Sequence, residues 1–236
     1  MFTRSSWPGW AEARMWAPEL HWVKGRYVVY FTAADARDKL NIGAAAATSS
    51  DPFGAYRDIG KPLLVDQNSI AGALDPHYFL DPITNKHYLI WKEDDPLVPS
   101  LIKIRELRSD GLAFRGTANT ILRSTLSGER FVTEAPWMMY KDSYYYLFYS
   151  SAWFFEAKYH MRVAKAKKIT GPFVKRRLPI LETDWSAYTR GLNTTFVGPG
   201  HGSVVSVGGD WWIIYHAWIQ GRVDQQEPGR SSIIEQ

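Results

Sequence analysis

The 236-residue sequence contains no cysteine. This absence excludes a disulfide framework, catalysis by a thiol and zinc held by cysteines. No run of about 18 apolar residues occurs, and residues 1–16 lack the continuous apolar segment of a signal peptide. We therefore expect a soluble chain without a membrane partner. Its compartment stays open, and secretion of a longer form is compatible with these observations.

Several catalytic motifs are also missing. The chain has no Gly-x-Ser-x-Gly nucleophile elbow, no phosphate-binding glycine loop with lysine and no His-Glu-x-x-His zinc helix. Gly198, Gly200 and Gly202 have the spacing of a nucleotide loop, but no strand–helix–strand pattern surrounds them. A close approach of the backbone to a neighbouring group explains these glycines better.

The positive charge is concentrated in one segment. The chain carries 28 Lys and Arg against 24 Asp and Glu, a net charge of +4. Residues 157–177 contain eight of the basic residues and no acidic one. Such a segment either binds phosphates or keeps an outer sheet edge soluble and unpaired. We favour the edge strand, and therefore expect no nucleic acid partner.

Aromatic residues are abundant, with 11 Trp, 13 Tyr and 11 Phe. They recur in runs with valine and isoleucine, which is typical of strands and predicts an all-β fold. Four copies of one pattern follow the chain: an inner segment, a polar turn and an aromatic strand, which together predict a β-hairpin. The copies begin at Ala17, Leu74, Glu134 and Pro199.

Further strands are predicted between the hairpins, at Leu40–Thr48, Leu101–Arg108 and Tyr159–Ala166. Ala44–Ala47 has helical propensity, but the turn residues around it favour a strand. Each repeat then contains about four strands, as the blades of a β-propeller do. No linker interrupts the series, so we predict a single propeller domain over residues 1–236.

The first polar residues of the four inner segments are Glu19, Asp75, Glu134 and His201, at separations of 56, 59 and 67 residues. Inner strands of a propeller line its axis, so we expect the three carboxylates to approach one another. Carboxyl groups in one desolvated pocket can supply the acid and the base of inverting glycoside hydrolysis. Taken singly, an acidic residue at the start of a strand is better explained by a turn or cap, and it is the repetition that favours a shared pocket.

At these residues the chain resembles glycoside hydrolase family 43, whose members are five-bladed propellers that cleave arabinose- or xylose-containing polysaccharides by inversion. Leu74-Asp75-Pro76-His77 is similar to the family segment whose Asp tunes the pKa of the catalytic acid. Glu134-Ala135-Pro136-Trp137 is similar to the segment that carries this general acid. The resemblance therefore implies a plant-cell-wall-type oligosaccharide or polysaccharide as substrate.

The resemblance also extends to Trp16-Ala17-Pro18-Glu19 and Gly198-Pro199-Gly200-His201. It maps the central-channel histidine of the family, and with it a structural calcium or another small ion, to His201. A core histidine bonded to a carbonyl is the alternative for this residue. No cofactor is required by the expected chemistry. We expect sugar-binding roles for Trp16, Glu19, His77 and Trp137.

One departure from the family pattern concerns the general base. Family members carry this Asp about one repeat upstream of the segment that ends at Glu19, and this chain contains no such residue; Glu12 is the only nearby carboxylate. We therefore expect about four of five blades, with truncation at the N-terminus and also at the C-terminus. A propeller closed by another subunit, or one that binds carbohydrate without catalysis, remains an alternative. The repeats of WD-type and sialidase-like propellers are absent.

Overall fold

The structure is a computed structural model that describes residues 7–192, 195–225 and 229–236. It confirms the all-β prediction. The chain divides into two compact units, Met1–Leu122 and Arg123–Gln236. The described residues include no helix long and apolar enough to cross a bilayer.

Unit 1 contains one sheet, built from two antiparallel meanders. A single parallel bridge between Leu40 and Gly72 joins the third strand to the fifth. The strands are β1 (Ala13–Val23), β2 (Arg26–Ala34), β3 (Leu40–Ala47), β4 (Tyr56–Asp58), β5 (Gly72–Leu80), β6 (His87–Asp94), β7 (Leu101–Leu107) and β8 (Asn119–Arg123), the last of which ends at the unit boundary.

Unit 2 contains two sheets. Their strands are β9 (Thr133–Lys141), β10 (Tyr144–Ser151), β11 (His160–Ala166), β12 (Val174–Lys175), β13 (Phe196–Val207), β14 (Asp210–Ile219) and β15 (Arg230–Glu235). The strand orders are β12-β11-β10-β9 in one sheet and β13-β14-β15 in the other. A 3₁₀ turn at Ser127–Glu129 precedes β9, and the helix α1 (Trp185–Thr189) lies between β12 and β13.

All four predicted hairpins are present, as β1–β2, β5–β6, β9–β10 and β13–β14. Three of them turn over two residues that both have positive φ, for example Lys24-Gly25 and Gly208-Gly209. This turn matches the right-handed twist of the paired strands. The hairpin β5–β6 has a longer loop, in which the Asp81 carboxylate accepts hydrogen bonds from the backbone N–H of Ile83 and the hydroxyl of Thr84.

The alanine-rich segment is a strand, as predicted, because β3 runs from Leu40 to Ala47. Phe31 on β2 explains why this strand has small residues. A Cβ atom added at Gly43 would lie 2.2 Å from the Phe31 ring, and Ala45 packs in the same buried cluster. Close packing against an aromatic ring therefore outweighs the helical propensity of alanine.

Each inner strand, β1, β5, β9 and β13, contains a β-bulge. The bulges place a residue with left-handed φ at equivalent positions: Ala17, Asp75, Ala135 and His201. This corrects the alignment of the first polar residues. Asp75 and His201 are equivalent, whereas Glu134 precedes its left-handed residue and Glu19 follows it by two. The error arose because side-chain polarity does not identify the extra residue of a bulge.

The core of unit 1 is centred on the fully buried side chains of Tyr30, Ile42, Leu89 and Trp91. In unit 2, Met161, Tyr215 and Ala217 form a buried cluster against which side chains from β10 and β15 pack. Two short strands lie at sheet edges: β4 pairs with β3 in unit 1, and β12 pairs with β11 in unit 2. The position of β12 confirms that the basic segment contains an edge strand.

Candidate active site

Glu134 lies at the start of β9, immediately before the left-handed Ala135. The bulge opens the ladder at this point, and the register pairs Glu134 with Ser150 of β10. Its side chain is 8% exposed, and the Tyr159 hydroxyl donates a hydrogen bond to Oε1 at 2.7 Å. The carboxyl group therefore belongs to a largely buried residue and is oriented by this hydrogen bond.

Tyr159, which the sequence analysis did not single out, is buried at 1% exposure. Its ring occupies the space beside Gly200, where an added Cβ would lie 2.0 Å from Cε1. The ring also stacks on His216 with centroids 6.0 Å apart. Glycine at position 200 thus leaves the room that the Tyr159 ring needs, and the hydroxyl of this ring donates to Glu134. The alternating glycines 198, 200 and 202 were the available signal, because residues two apart share one face of a strand.

His201 is the left-handed residue of the β13 bulge. Its backbone N–H donates to Ser150 Oγ at 2.8 Å, and its ring lies 5.8 Å from that of His216. Burial, the Arg230 guanidinium and His201 together lower the pKa of His216 to about 3. His216 is therefore neutral at physiological pH, and Nη1 of Arg230 donates to its Nε2 at 2.7 Å.

A calcium ion prefers six to eight oxygen ligands. Among the described residues, no group of three or more histidine, aspartate or glutamate ligands includes His201. The groups beside it are an imidazole and, through His216, a guanidinium. These side chains do not fit a calcium ion held by the protein alone, so the ion at His201 stays a prediction.

Asp75 is the left-handed residue of the β5 bulge, with φ of 54°. Aspartate tolerates this conformation better than most residues with a side chain. The residue is 8% exposed, and its backbone N–H donates to the hydroxyl of the fully buried Thr32 at 3.1 Å. The sequence thus predicted a buried position correctly. Its role as the residue that tunes the acid stays a prediction.

Glu19 and His77, predicted to bind sugar, are brought together in unit 1. Nδ1 of His77 lies 3.0 Å from Oε2 of Glu19, and Nε2 of His21 lies 2.8 Å from the same oxygen. Burial alone would raise the pKa of Glu19, but the charge and hydrogen bonds of His77 and His21 outweigh it and lower the pKa to about 2. Glu19 is therefore an ionised carboxylate that contacts two imidazoles.

The predicted aromatic contacts differ in exposure. Trp16 on β1 is 44% exposed, with the Arg14 guanidinium 5.6 Å above its ring. Trp137 on β9 is half-buried, and its indole N–H donates to the carbonyl of Val204 at 2.9 Å. Trp16 therefore offers an open face for stacking, whereas the polar edge of Trp137 is used within the fold.

A second aromatic surface lies in the loop between β10 and β11 of unit 2. Trp153, Phe154 and Phe155 are all exposed, and the rings of Trp153 and Phe155 stack 5.8 Å apart. The loop starts after Ser151, which pairs with Thr133 beside Glu134, and it ends at Tyr159. The aromatic surface and Glu134 therefore belong to the same end of this sheet.

Comparison with protein families matches the chain over residues 1–236 to "Glycosyl hydrolases family 43". The chain belongs to this family. A family 43 fold is also found among solved structures: a thermostable family-43 glycoside hydrolase superimposes with a TM-score of 0.82, at 24% identity, over 96% of this chain and 72% of the other. That likeness supports the fold.

This family 43 chain is similar to two curated relatives with different names. It is 28% identical over 192 residues, 80% of its length, to beta-D-galactofuranosidase xynD of Aspergillus niger. It is 24% identical over 237 residues, 89% of its length, to the extracellular exo-alpha-(1->5)-L-arabinofuranosidase ArbA of Cellvibrio japonicus. The chain spans 50% and 66% of the lengths of these two relatives.

Proposed function

We propose that the chain hydrolyses O-glycosidic bonds in arabinose- or xylose-containing oligosaccharides or polysaccharides, with Glu134 as the general acid. One observation carries the proposal: Glu134 is a carboxyl group on a bulge in a residue that is only 8% exposed, and the Tyr159 hydroxyl orients it by a hydrogen bond. The relative named as an extracellular exo-alpha-(1->5)-L-arabinofuranosidase supports the substrate class.

The proposed reaction inverts the anomeric centre. Glu134 in its acid form donates a proton to the leaving oxygen while a second carboxylate activates water on the opposite face of the sugar. We assign Asp75 the role of tuning the acid, on the strength of its segment Leu74-Asp75-Pro76-His77. No residue of this chain is assigned as the general base.

The aromatic loop supports a carbohydrate substrate. Sugars present apolar C–H faces that pack on aromatic rings, as other apolar surfaces do. Trp153, Phe154 and Phe155 offer such rings, and the loop that carries them ends at Tyr159, the residue that holds Glu134. A sugar chain that contacts these rings would therefore be bound at the end of the sheet where the acid lies.

The architecture belongs to the same proposal. We assign the four antiparallel meanders to blades of a five-bladed propeller, in one domain. Their inner strands β1, β5, β9 and β13 share a bulge at equivalent positions, as repeats of one unit do. An ion near His201, bound mainly through water, is part of the proposal and takes no step in the reaction.

The test measures hydrolysis of nitrophenyl arabinofuranoside and nitrophenyl xyloside by the Glu134→Gln variant and by the unmodified chain. We expect kcat/KM to fall by about 10²- to 10⁴-fold. The fall should be smaller for a dinitrophenyl glycoside, because its leaving group needs little protonation. Glu182→Gln, which changes an exposed carboxylate of the same unit, is the matched control and should leave the rate unchanged. Unchanged hydrolysis in Glu134→Gln would refute the assignment.

A second candidate function is binding of carbohydrate without catalysis. The exposed rings of the β10–β11 loop favour it, together with the lack of an assigned general base. Calorimetry with arabinan and xylan oligosaccharides separates the two: binding without any release of sugar supports this candidate, and Trp153→Ala should then weaken the binding. Release of sugar that depends on Glu134 excludes it.

A further inference from the structure

We propose that unit 1 contains a binding site for a divalent transition metal ion of the zinc type, formed by Glu19, His21 and His77. The inference is independent of the proposed hydrolytic function. Among the described residues, these three form the group in which His, Asp or Glu ligand atoms lie within 4.8 Å of one another. None of them is the candidate acid or the residue assigned to tune it.

The geometry of two neighbouring strands brings the ligands together. Glu19 and His21 are two apart on β1 and therefore project from the same face of the strand. His77, 58 residues away from Glu19, comes from β5. After the bulge of β1, strand pairing resumes at Glu19, and after the bulge of β5 it resumes at His77. The two bulges thus position a carboxylate and an imidazole side by side.

The donor set suits zinc. Imidazole nitrogen and carboxylate oxygen bind Zn²⁺ at about 2.0–2.2 Å, which separates tetrahedral ligand atoms by about 3.3 Å. Oε2 of Glu19 lies 2.8 Å from Nε2 of His21 and 3.0 Å from Nδ1 of His77. Outward shifts of a few tenths of an ångström would bring these two contacts to that separation, and all three ligand atoms lie within 4.8 Å of one another.

The surroundings give the site support and access. The backbone N–H of Tyr78 points to Oε2 of Glu19 at 3.4 Å, and the Tyr78 ring lies 4.9 Å from that of His21. His77 is buried, but the side chains of Glu19 and His21 are each 21% exposed. A water molecule can therefore reach the fourth position, and the ion has a path to the site.

The expected consequence is structural. β1 pairs with β2, whereas β5 pairs with β3 and β6, so no backbone ladder joins β1 to β5 directly. An ion held by Glu19, His21 and His77 would cross-link the inner strands of the two meanders. Such a site would stabilise the folded state in proportion to its occupancy, since the unfolded chain does not hold the three ligands together.

The test uses the full chain, stripped with a chelator and titrated with zinc chloride by calorimetry. We expect one zinc ion per chain, at least tenfold weaker binding in His21→Ala and in Glu19→Gln, and unchanged binding in His87→Gln. His87 is the matched control, because it contacts Tyr78 but lies outside the cluster. At a hundredfold excess of zinc over Kd, the Tm should rise by about 5–10 °C.

Cobalt(II) gives a second readout that does not depend on stability. Tetrahedral coordination by nitrogen and oxygen should produce visible absorption bands in the unmodified chain and in His87→Gln, but not in Glu19→Gln. Circular dichroism checks that His21→Ala folds. If it does not fold, Glu19→Gln still tests the site, because glutamine retains a hydrogen-bonding side chain. Absence of zinc binding, or equal binding in Glu19→Gln, would overturn the proposal, as would loss of binding in His87→Gln.

Discussion

Two buried glutamates of unit 2 lie five residues apart and are held in different ways. Glu129, in the 3₁₀ turn before β9, is fully buried and accepts hydrogen bonds from the backbone N–H groups of Thr125 and Leu126. The Tyr149 hydroxyl and the Lys175 ammonium group also donate to it. Glu134, at the start of β9, is 8% exposed and accepts from the Tyr159 hydroxyl.

The difference separates a structural carboxylate from a candidate proton donor. Burial would raise the pKa of Glu129, but Lys175 and the two backbone N–H groups outweigh it and lower the pKa below its ordinary value. A carboxyl group fixed in its charged form cannot deliver a proton near neutral pH. Glu134 accepts a hydrogen bond from the neutral hydroxyl of Tyr159. A neutral donor stabilises a charged carboxylate less than an ammonium group does.

The largest expected effect comes from removing the cation of the structural pair. Lys175→Met leaves the Glu129 charge buried without its ammonium partner, and breaking a buried pair in this way costs about 3–5 kcal/mol of folding free energy. Urea unfolding measures the loss. Lys165→Met is the control, because Lys165 is exposed and lies over the Tyr144 ring. A loss below about 1 kcal/mol in Lys175→Met would mean that Glu129 does not depend on its ammonium partner, and the contrast drawn between Glu129 and Glu134 would then be wrong.

Acid should remove part of the same stabilisation. The folded-state pKa of Glu129 is below its unfolded value of 4.5, so its contribution is complete above that pH and is lost as the pH falls through the folded-state pKa. Urea unfolding of the intact chain and of Glu129→Gln from pH 7 to pH 3 tests this sign. The gap in stability between the two should narrow on acidification, and a gap that stays constant would contradict it.

The smallest effect on stability is expected at Tyr159. Tyr159→Phe removes the hydroxyl that donates to Glu134 while the ring keeps its seat beside Gly200. Loss of one hydrogen bond costs about 0.5–1.5 kcal/mol. Because a donor favours the charged carboxylate, its removal should move the alkaline limb of the pH–activity profile to higher pH. An unchanged profile would argue that Tyr159 has a packing role only.

Local patterns predicted the strands and hairpins of both units well. Two-residue turns such as Lys24-Gly25 and Gly208-Gly209 are readable, because glycine marks positions of positive φ. The positions of Asp75 and Glu134 on buried inner strands followed from the same repeats. The exact equivalence of residues within the bulges did not, since a bulge inserts one residue without a fixed side-chain signal.

Long-range pairs were beyond the sequence analysis. The sequence places Lys175 in a basic segment that predicts an outer sheet edge, yet its side chain is only 12% exposed and its ammonium group donates to Glu129, 46 residues away. Tyr159 was one aromatic residue among many, and its bond to Glu134 spans 25 residues. Such partners depend on how strands of a sheet place their ends, which residue type and spacing do not specify.

The bridge between Leu40 and Gly72 has a consequence for sequence variation in unit 1. Gly72 has φ of 106°, and a Cβ there would lie 2.1 Å from the carbonyl oxygen of Leu40. A side chain at position 72 would disrupt the Leu40–Gly72 bridge, which joins the two meanders into one eight-stranded sheet. Position 72 is therefore where a library of random variants should show almost no survivors. Gly9, which has no positive φ and no atom within 4 Å of an added Cβ, should accept many.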